Sequence, residues 1–358
     1  MIYILAFLWV LGILIFIHEF GHFLVAKLSG VKVLKFSLGF GPKLIGTKIG
    51  ETEYQISAFP LGGYVKPLGD NPREKVPKGE KTRAFIHQSV PKRMAIILAG
   101  PLANFLLAIV IFALLYSVMG IPQSPPVVGK VVEGSSAQKA GIQAGDVILQ
   151  VDEVKITQWT DLPSVITKSK GRTLLLTVRR GKRVVPLRVT PQAATTKNIF
   201  GEELKTYQIG IISSGEIVLK QVPVYSGIGT AFSQTWFITK LTVVSIVKVI
   251  QRVIPAKQAL GGPILIAQMA GKQAQEGFLS LIFFTAIISI NLGIINLFPI
   301  PILDGGHLLF LTLESIIGRP LSVKKLELAQ QIGLIIIILL MAFIFYNDIM
   351  RILPRGIK

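Results

Sequence analysis

Residues 2–26 read IYILAFLWVLGILIFIHEFGHFLVA, an apolar run interrupted only by His18, Glu19 and His22 among acidic and basic side chains. At 1.5 Å per residue it is long enough as a helix to cross about 30 Å of hydrocarbon. No basic segment precedes it, the apolar run continues past Leu11, and no small-residue cleavage site comes before His18. It therefore reads as a retained first span and not as a cleaved leader. On a helix, positions i and i+4 share a face, so the two imidazoles can reach one point. Glu19 stands beside them, where a carboxylate can take a proton from water at a metal. Each ionisable group at membrane depth costs about 2.5–3.5 kcal/mol on insertion scales. Apolar sequence does not collect three of them in one turn by chance, although two satisfied histidines without a metal are the plain alternative.

Working outward, the rest of the chain is of the same class. It is 51% hydrophobic with a mean hydropathy of +0.61, and its charged residues, 16% of the total, cluster between apolar runs. Three further stretches can span a bilayer: 94–119, 278–298, and 332–346 with a start near Ala329. These divide the chain into a first span (1–27), a loop (28–93), a second span (94–119), an inserted domain (120–194), a following region (195–276), a third span with its polar sequel (277–315), a short loop (316–328), a fourth span (329–350) and a tail (351–358). Segment 232–254 is apolar but carries Lys240, Lys248 and Arg252 at helical spacing, which predicts an amphipathic helix at the interface. The formal charge of +19 comes from 38 basic and 19 acidic residues. Anionic lipid headgroups are the expected partner for it, and no nucleic-acid motif is present. With no cysteine, any metal must be held by His, Asp or Glu.

Loop 28–93 alternates in its first half, as in Lys32–Leu38 and Glu53–Ala58, with glycines between the runs, which predicts β-hairpins. Asp70–Arg83, rich in Lys, Glu and Pro, predicts a mobile linker. Residues 125–191 read as a small soluble domain: a strand at Val127–Val132, a short helix at Ser136–Ile142, a turn and strand at Ala144–Asp152, a helix at Thr160–Ser169, then strands at Thr173–Arg179 and Arg183–Val189. Loop 28–93 holds twelve Lys or Arg against five acids, so the positive-inside rule places it in the cytoplasm and the inserted domain outside. The tail, with Arg351, Arg355 and Lys358, would then lie outside against that rule.

Two histidines make an incomplete catalytic zinc site, which takes three protein ligands plus water. Asn296-Leu297-Phe298-Pro299-Ile300-Pro301-Ile302-Leu303-Asp304-Gly305-Gly306-His307 is the other segment with the character of a site. Its prolines break a helix, and irregular backbone at membrane depth is tolerated only where protein or a watered cavity surrounds it. Both Asp304 and His307 stand there as candidate third ligands.

Taken together, His18-Glu19-Phe20-Gly21-His22, Gly62-Gly63-Tyr64-Val65, Gly100-Pro101-Leu102-Ala103-Asn104-Phe105 and Asn296…Asp304-Gly305 resemble the site-2 proteases over nearly the whole chain. The closest likeness is to the bacterial type with a PDZ insertion. The resemblance implies a polytopic α-helical membrane protein of about four spans, with a β-hairpin loop associated with the membrane and an inserted α+β PDZ domain. It further implies Zn2+ held by His18, His22 and Asp304, with Glu19 as general base. Asn296 and Asn104 would help bind the substrate backbone. The hairpin loop would pair with unwound substrate, and residues 53–58, including Tyr54 and Ile56, are expected to offer it an edge. Ala140–Ile148 resembles the hallmark of bacterial PDZ domains, which bind extended peptides by strand addition; one such domain is evident, where some family members carry two. The implied activity is hydrolysis of single-span membrane proteins, such as anti-sigma factors or signal-peptide remnants, in the inner membrane after a first external cut by another protease. A membrane-anchored PDZ scaffold that binds without cutting is the alternative, and a secondary transporter is disfavoured because no matched broken span appears in the other half.

Overall fold

The computed structural model describes residues 1–71, 74–259 and 261–352; the end of the tail, 353–358, lies outside the described residues. Along the chain, α1 (Ile2–Leu28) leads into β1 (Val33–Ile49) and β2 (Thr52–Pro67), and then α2 (Val90–Met119). There follow β3 (Ile121–Gln123), β4 (Val128–Val131), α3 (Ser136–Lys139), β5 (Val147–Val151), β6 (Val154–Lys155), α4 (Leu162–Lys168), β7 (Leu174–Arg180) and β8 (Arg183–Val189). After β9 (Gln192–Lys197), β10 (Glu203–Gln208), β11 (Ile211–Ser213) and β12 (Val218–Lys220) the chain is helical: α5 (Val224–Ile250), α6 (Ala256–Ala259), α7 (Pro263–Glu276), α8 (Phe278–Asn296), α9 (Asp304–Ile317) and α10 (Val323–Ile352).

Four helices, α1, α2, α8 and α10, are long and apolar enough to cross a membrane. They match the four expected spans, with α2 and α10 each starting several residues earlier. The predicted amphipathic helix is present as α5 and begins at Val224, eight residues before the expected start. The chain folds as two units, one of residues 1–115, 228–249 and 255–358, the other of 116–227 and 250–254.

In the helical unit the core packs Ala6, Val10 and Leu14 of α1 against Ala270 of α7 and Leu281 and Phe284 of α8. Small residues allow the approach: Gly271 of α7 lies so close to the Tyr3 ring that an added Cβ would sit 2.0 Å from it. The N-terminus of α7 is capped by the buried Asp348 of α10, which accepts from the amides of Gly262, Ile264 and Leu265 at 3.0, 3.1 and 3.1 Å. A carboxylate suits that position because the first amides of a helix lack partners and carry its positive end. Arg93, at the start of α2, is ion-paired with Glu314 in the last turns of α9, both largely buried.

The hairpin expected in the first loop is present but folded back on itself. Residues 33–40 of β1 are partnered by 59–67 of β2, as in Phe36↔Val65 and Leu38↔Gly63, and also by 53–56, as in Phe36↔Tyr54 and Leu38↔Ile56. The remainder of β1 partners 52–57, as in Ile45↔Ile56 and Lys48↔Glu53. This corrects the expectation of an edge at residues 53–58 over 53–56, whose backbone has ladder partners on both sides, while Ser57 is partnered by Lys43 on one side. The free edges belong to 43–49 and 59–67. Tyr54 and Ile56 line a shallow apolar groove of about 340 Å³ with Phe36, Leu38, Ile45 and Thr47. Within the expected linker, Asp70–Arg83, residues 78–83 form a 3-10 helix whose Glu80 pairs with Lys32 at 2.6 Å and whose Arg83 pairs with Glu51 at 2.8 Å, while Pro72 and Arg73 lie outside the described residues.

The other unit contains the strands and helices expected between 125 and 191, in a sheet ordered β6-β5-β7-β8. Its core is Val128, Ile148, Val151, Leu162, Leu174 and Leu176, among others. The unit extends past the expected boundary at 194, because β11 pairs with β4 and β12 with β3. At its base Asp146 is fully buried and receives Arg180 Nε and Nη2, both at 2.8 Å, with the Gln143 amide at 2.9 Å. Burial alone would push this carboxyl up, but the Arg180 guanidinium and the Gln143 amide outweigh it and hold it below the usual carboxylate range.

Candidate metal centre

Three side chains from two helices converge in the helical unit. His18 and His22 lie one turn apart on α1, and Asp304 is the first residue of α9. The α8–α9 connection explains how an acid reaches this depth. Helix α8 stops at Asn296, and Pro299 and Pro301 cannot supply the amides a continued helix needs. The chain turns through Phe298–Leu303 and restarts at Asp304, whose carboxylate suits the positive end of α9. Gly305 and Gly306 let that start fold against its own connection, since a Cβ at either would lie 2.2 and 2.3 Å from the carbonyl oxygens of Leu297 and Ile300.

His18 Nε2 is 3.1 Å from Asp304 Oδ2, His22 Nε2 is 3.5 Å from the same oxygen, and the two Nε2 atoms are 3.2 Å apart. A tetrahedral zinc with ligand bonds of about 2.0–2.1 Å requires ligand atoms about 3.3–3.4 Å apart. The three separations bracket that value. Asp304 Oδ2 is, moreover, buried with no hydrogen bond, which is costly for a carboxylate oxygen unless something else occupies it. The donor set and its spacing therefore fit zinc. Among the described residues this is the one group of three or more His, Asp or Glu side chains so placed. His307, the rival third ligand, is not in it, and neither is His87, which lies in a 3-10 turn at Phe85–His87.

Each imidazole is also held from behind. His22 Nδ1 donates to the Ile96 carbonyl of α2 at 2.8 Å, which leaves Nε2 as the ligating nitrogen. The two helices approach closely here because Gly21 of α1 and Gly100 of α2 have no side chain. A Cβ at Gly21 would sit 2.4 Å from the Ala99 oxygen, and one at Gly100 would sit 2.2 Å from His22 Nε2. His18 has Asn104 of α2 at 3.3 Å from its Nδ1, and Asn296 of α8 at 3.5 Å from both ring nitrogens. Asn104 is fully buried and Asn296 partly so. Both asparagines picked out in the sequence thus lie against His18.

Glu19 is on the same turn of α1 and faces strand 59–67. An added Cβ on Gly63 would be 2.9 Å from Glu19 Cγ, so only glycine lets the strand pass. The Val65 amide lies beside the Glu19 side chain. Tyr54 and Ile56 lie one strand further away, beyond 33–40, and Tyr54 stacks edge-on against Phe23 of α1. Sequence reasoning missed Gly21, the Ile96 carbonyl and the reason for Gly63 and Gly100. The Gly62-Gly63 and Gly100-Pro101 motifs marked two of these places without showing what they do.

Residues 6–340 match the sequence profile of peptidase family M50. A Mesorhizobium japonicum protein, provisionally named a zinc metalloprotease, is 37% identical over 360 residues, covering 96% of this chain and 97% of its own length. A Rickettsia conorii protein with the same provisional description is 36% identical over 357 residues, 98% of this chain and 99% of its own. A third, from Clostridium acetobutylicum, is 36% identical over 338 residues and covers 94% of each chain.

Proposed function

The chain belongs to peptidase family M50, and from that premise we propose that it hydrolyses peptide bonds within or beside the transmembrane segment of single-span membrane proteins, after another protease has made a first external cut. It is a multi-pass membrane protein and a zinc metalloprotease. The observation that carries the finer reading is position: His18, Glu19 and His22 lie within a helix apolar enough to span a bilayer, with Asp304 brought to them by a broken one.

His18, His22 and Asp304 would hold the zinc. When bound there, zinc supplies Lewis acidity to the scissile carbonyl and makes its water a nucleophile near neutral pH. The rest falls to the chain's own groups. Glu19 accepts the proton that the attacking water gives up. As the C–N bond breaks, Glu19 returns that proton to the leaving nitrogen, so one water is consumed and a free acid and amine are formed. Asn296, partly exposed beside His18, is placed to donate to the substrate backbone.

A helical substrate hides its amides and must unwind to be cut. Residues 59–65 are partnered on one side only and run beside Glu19, so strand addition to this edge would hold an unwound segment at the reacting groups. Residues 120–194 serve as a PDZ domain on the external face of the inner membrane, with loop 28–93 in the cytoplasm. The β6-β5-β7-β8 sheet with its two helices supports that reading.

The test is cleavage of a single-span substrate, lacking its external domain, by the purified full chain, with the Glu19→Gln chain beside it. Mass-spectrometric mapping should place the cut within or next to the apolar segment. Cleavage only in soluble regions, or cleavage unaffected by Glu19→Gln, overturns the proposal.

A further inference from the structure

An imidazole has two nitrogens and, when neutral, one proton. A histidine that ligates through Nε2 must therefore carry that proton on Nδ1 and needs an acceptor there to stay in that tautomer and orientation. His22 has one, the Ile96 carbonyl at 2.8 Å. His18 turns its Nε2 toward Asp304 Oδ2 and His22 Nε2, at 3.1 and 3.2 Å, so its Nδ1 needs one too. Among the described residues two side chains lie within hydrogen-bonding reach of that atom, Asn104 at 3.3 Å and Asn296 at 3.5 Å.

They are not equivalent. Asn296 is 3.5 Å from Nδ1 and 3.5 Å from Nε2, so it lies off the axis of either nitrogen and is suited to neither. Asn104 contacts Nδ1 alone, is 0% exposed and is held on α2 by a Ser289 hydroxyl of α8 that donates to its backbone carbonyl at 2.8 Å. With Nδ2 turned to His18, its Oδ1 is buried without any hydrogen bond, and an N–H would face an N–H whenever His18 ligates through Nε2. A half-turn of the amide exchanges Oδ1 and Nδ2 within the same space. It gives the stranded oxygen a donor and the imidazole an acceptor.

We propose that Asn104 is the positioning residue for His18: its side-chain carbonyl accepts from Nδ1–H and so holds the Nε2 lone pair on the point shared with His22 and Asp304. This rests on the reading that those three residues hold the metal. It also moves Asn104 from substrate binding, the role implied by the family resemblance, to service of a ligand. A fully buried amide offers no surface to a peptide, whereas the partly exposed Asn296 does.

The two roles predict different behaviour in metal binding alone, without substrate. The full chain in detergent, stripped of metal, is titrated with Zn2+ against a chromogenic chelator, and with Co2+ to read the ligand-field bands. Asn104→Leu keeps the branching at Cγ but loses the acceptor, and its Zn2+ affinity should fall about 10–100-fold. Asn104→Asp can accept but not donate, and it should bind Zn2+ at least as tightly as the unaltered chain, with Co2+ bands of the same tetrahedral intensity. That arm stands even if the leucine variant does not fold. Equal affinity for the leucine variant, or a loss in Asn104→Asp of tenfold or more, overturns the proposal. Failure of the unaltered chain to bind either ion overturns the ligand assignment beneath it, which is a separate and distinguishable result.

Discussion

Replacing Gly100 by alanine should empty the metal centre while leaving the fold as stable as before. The ideal Cβ at this position is 2.2 Å from His22 Nε2, 2.5 Å from Cε1 and 2.8 Å from Cδ2. Ordinary contact begins at about 3.4 Å, so the ring must retreat by about 1.2 Å (3.4 − 2.2). The bonds of a metal site tolerate displacements of about 0.2 Å. Relief comes either from α2 withdrawing from α1, which takes the Ile96 carbonyl away from His22, or from the ring itself. His22 can move, by swinging its ring and giving up the bond to Ile96. The cost therefore falls on the ligand. Alanine in a helix interior is itself worth up to about 1 kcal/mol over glycine, which offsets much of the lost hydrogen bond. The expected result is zinc content well below one per chain after dialysis against a mild chelator, cleavage slowed at least about 100-fold, and an apparent melting temperature of the metal-free protein near that of the parent. Gly12→Ala on α1, where nothing lies within 4 Å of the new Cβ, serves as the control and should change neither zinc nor rate. A Gly100→Ala chain with full zinc and a rate within about threefold of the parent would refute the reasoning that helix separation sets the site.

Glu19→Gln should abolish hydrolysis while zinc stays near one per chain by elemental analysis, since Glu19 is not among the three converging donors. Asp304→Asn should lower both zinc content and cleavage, whereas His307→Ala should leave zinc nearly stoichiometric; the reverse pattern would show the third ligand to be misassigned. Gly63→Ala places a methyl 2.9 Å from Glu19 Cγ and 2.8 Å from the Ser37 carbonyl oxygen, so it should slow cleavage by tenfold or more without loss of zinc. In the other unit, Arg180→Met leaves the buried Asp146 with the Gln143 amide but no charged partner and should destabilise that unit, measured by denaturant titration. The parent pair's contribution is complete above the ordinary carboxylate pKa of about 3.9. It should fade as pH drops through the lower folded value, so the gap between parent and Arg180→Met narrows in acid and is widest near neutrality.

Much of this arrangement is legible in the sequence, and the unread parts share a physical cause. Four spans could be counted because the membrane demands long apolar runs, and composition reports those directly. His18 and His22 could be paired because a helix fixes which residues share a face. The segment holding Asp304 and His307 stands out because prolines at 299 and 301 must break a helix, and the choice of Asp304 within it rests on the family resemblance. By contrast, alternation at residues 53–58 reads the same in a central strand as at an edge. Which segment lies beside it is a long-range matter of register, and around 53–56 the structure puts 33–40 on one side and 43–49 on the other. The Lys-Glu-Pro composition of 70–83 likewise suits a solvated linker, yet Glu80 and Arg83 find partners at Lys32 and Glu51. That the inserted unit runs past residue 194 was hidden because strands as short as Val218–Lys220 are too brief to show any periodicity.

The residues that sequence reasoning left unexplained at the metal centre act by having no side chain, or act through the backbone. Gly21 and Gly100 set how near α1 comes to α2, the Ile96 carbonyl fixes His22, and Gly63 lets strand 59–67 pass close to Glu19. None of these adds a ligand, so no count of His, Asp and Glu could reveal them. They imply that the metal point is defined by the separation of α1, α2 and the restart of α9, and that the ligand side chains merely report it. Arg93 and Glu314 then gain significance, since they tie α2 to the helix that begins with Asp304. A site built this way is vulnerable in a specific order. Anything that spreads these helices, a methyl group at Gly100 or a broken Arg93–Glu314 pair, moves the donors apart before it alters any one of them. Metal should therefore be lost ahead of the fold.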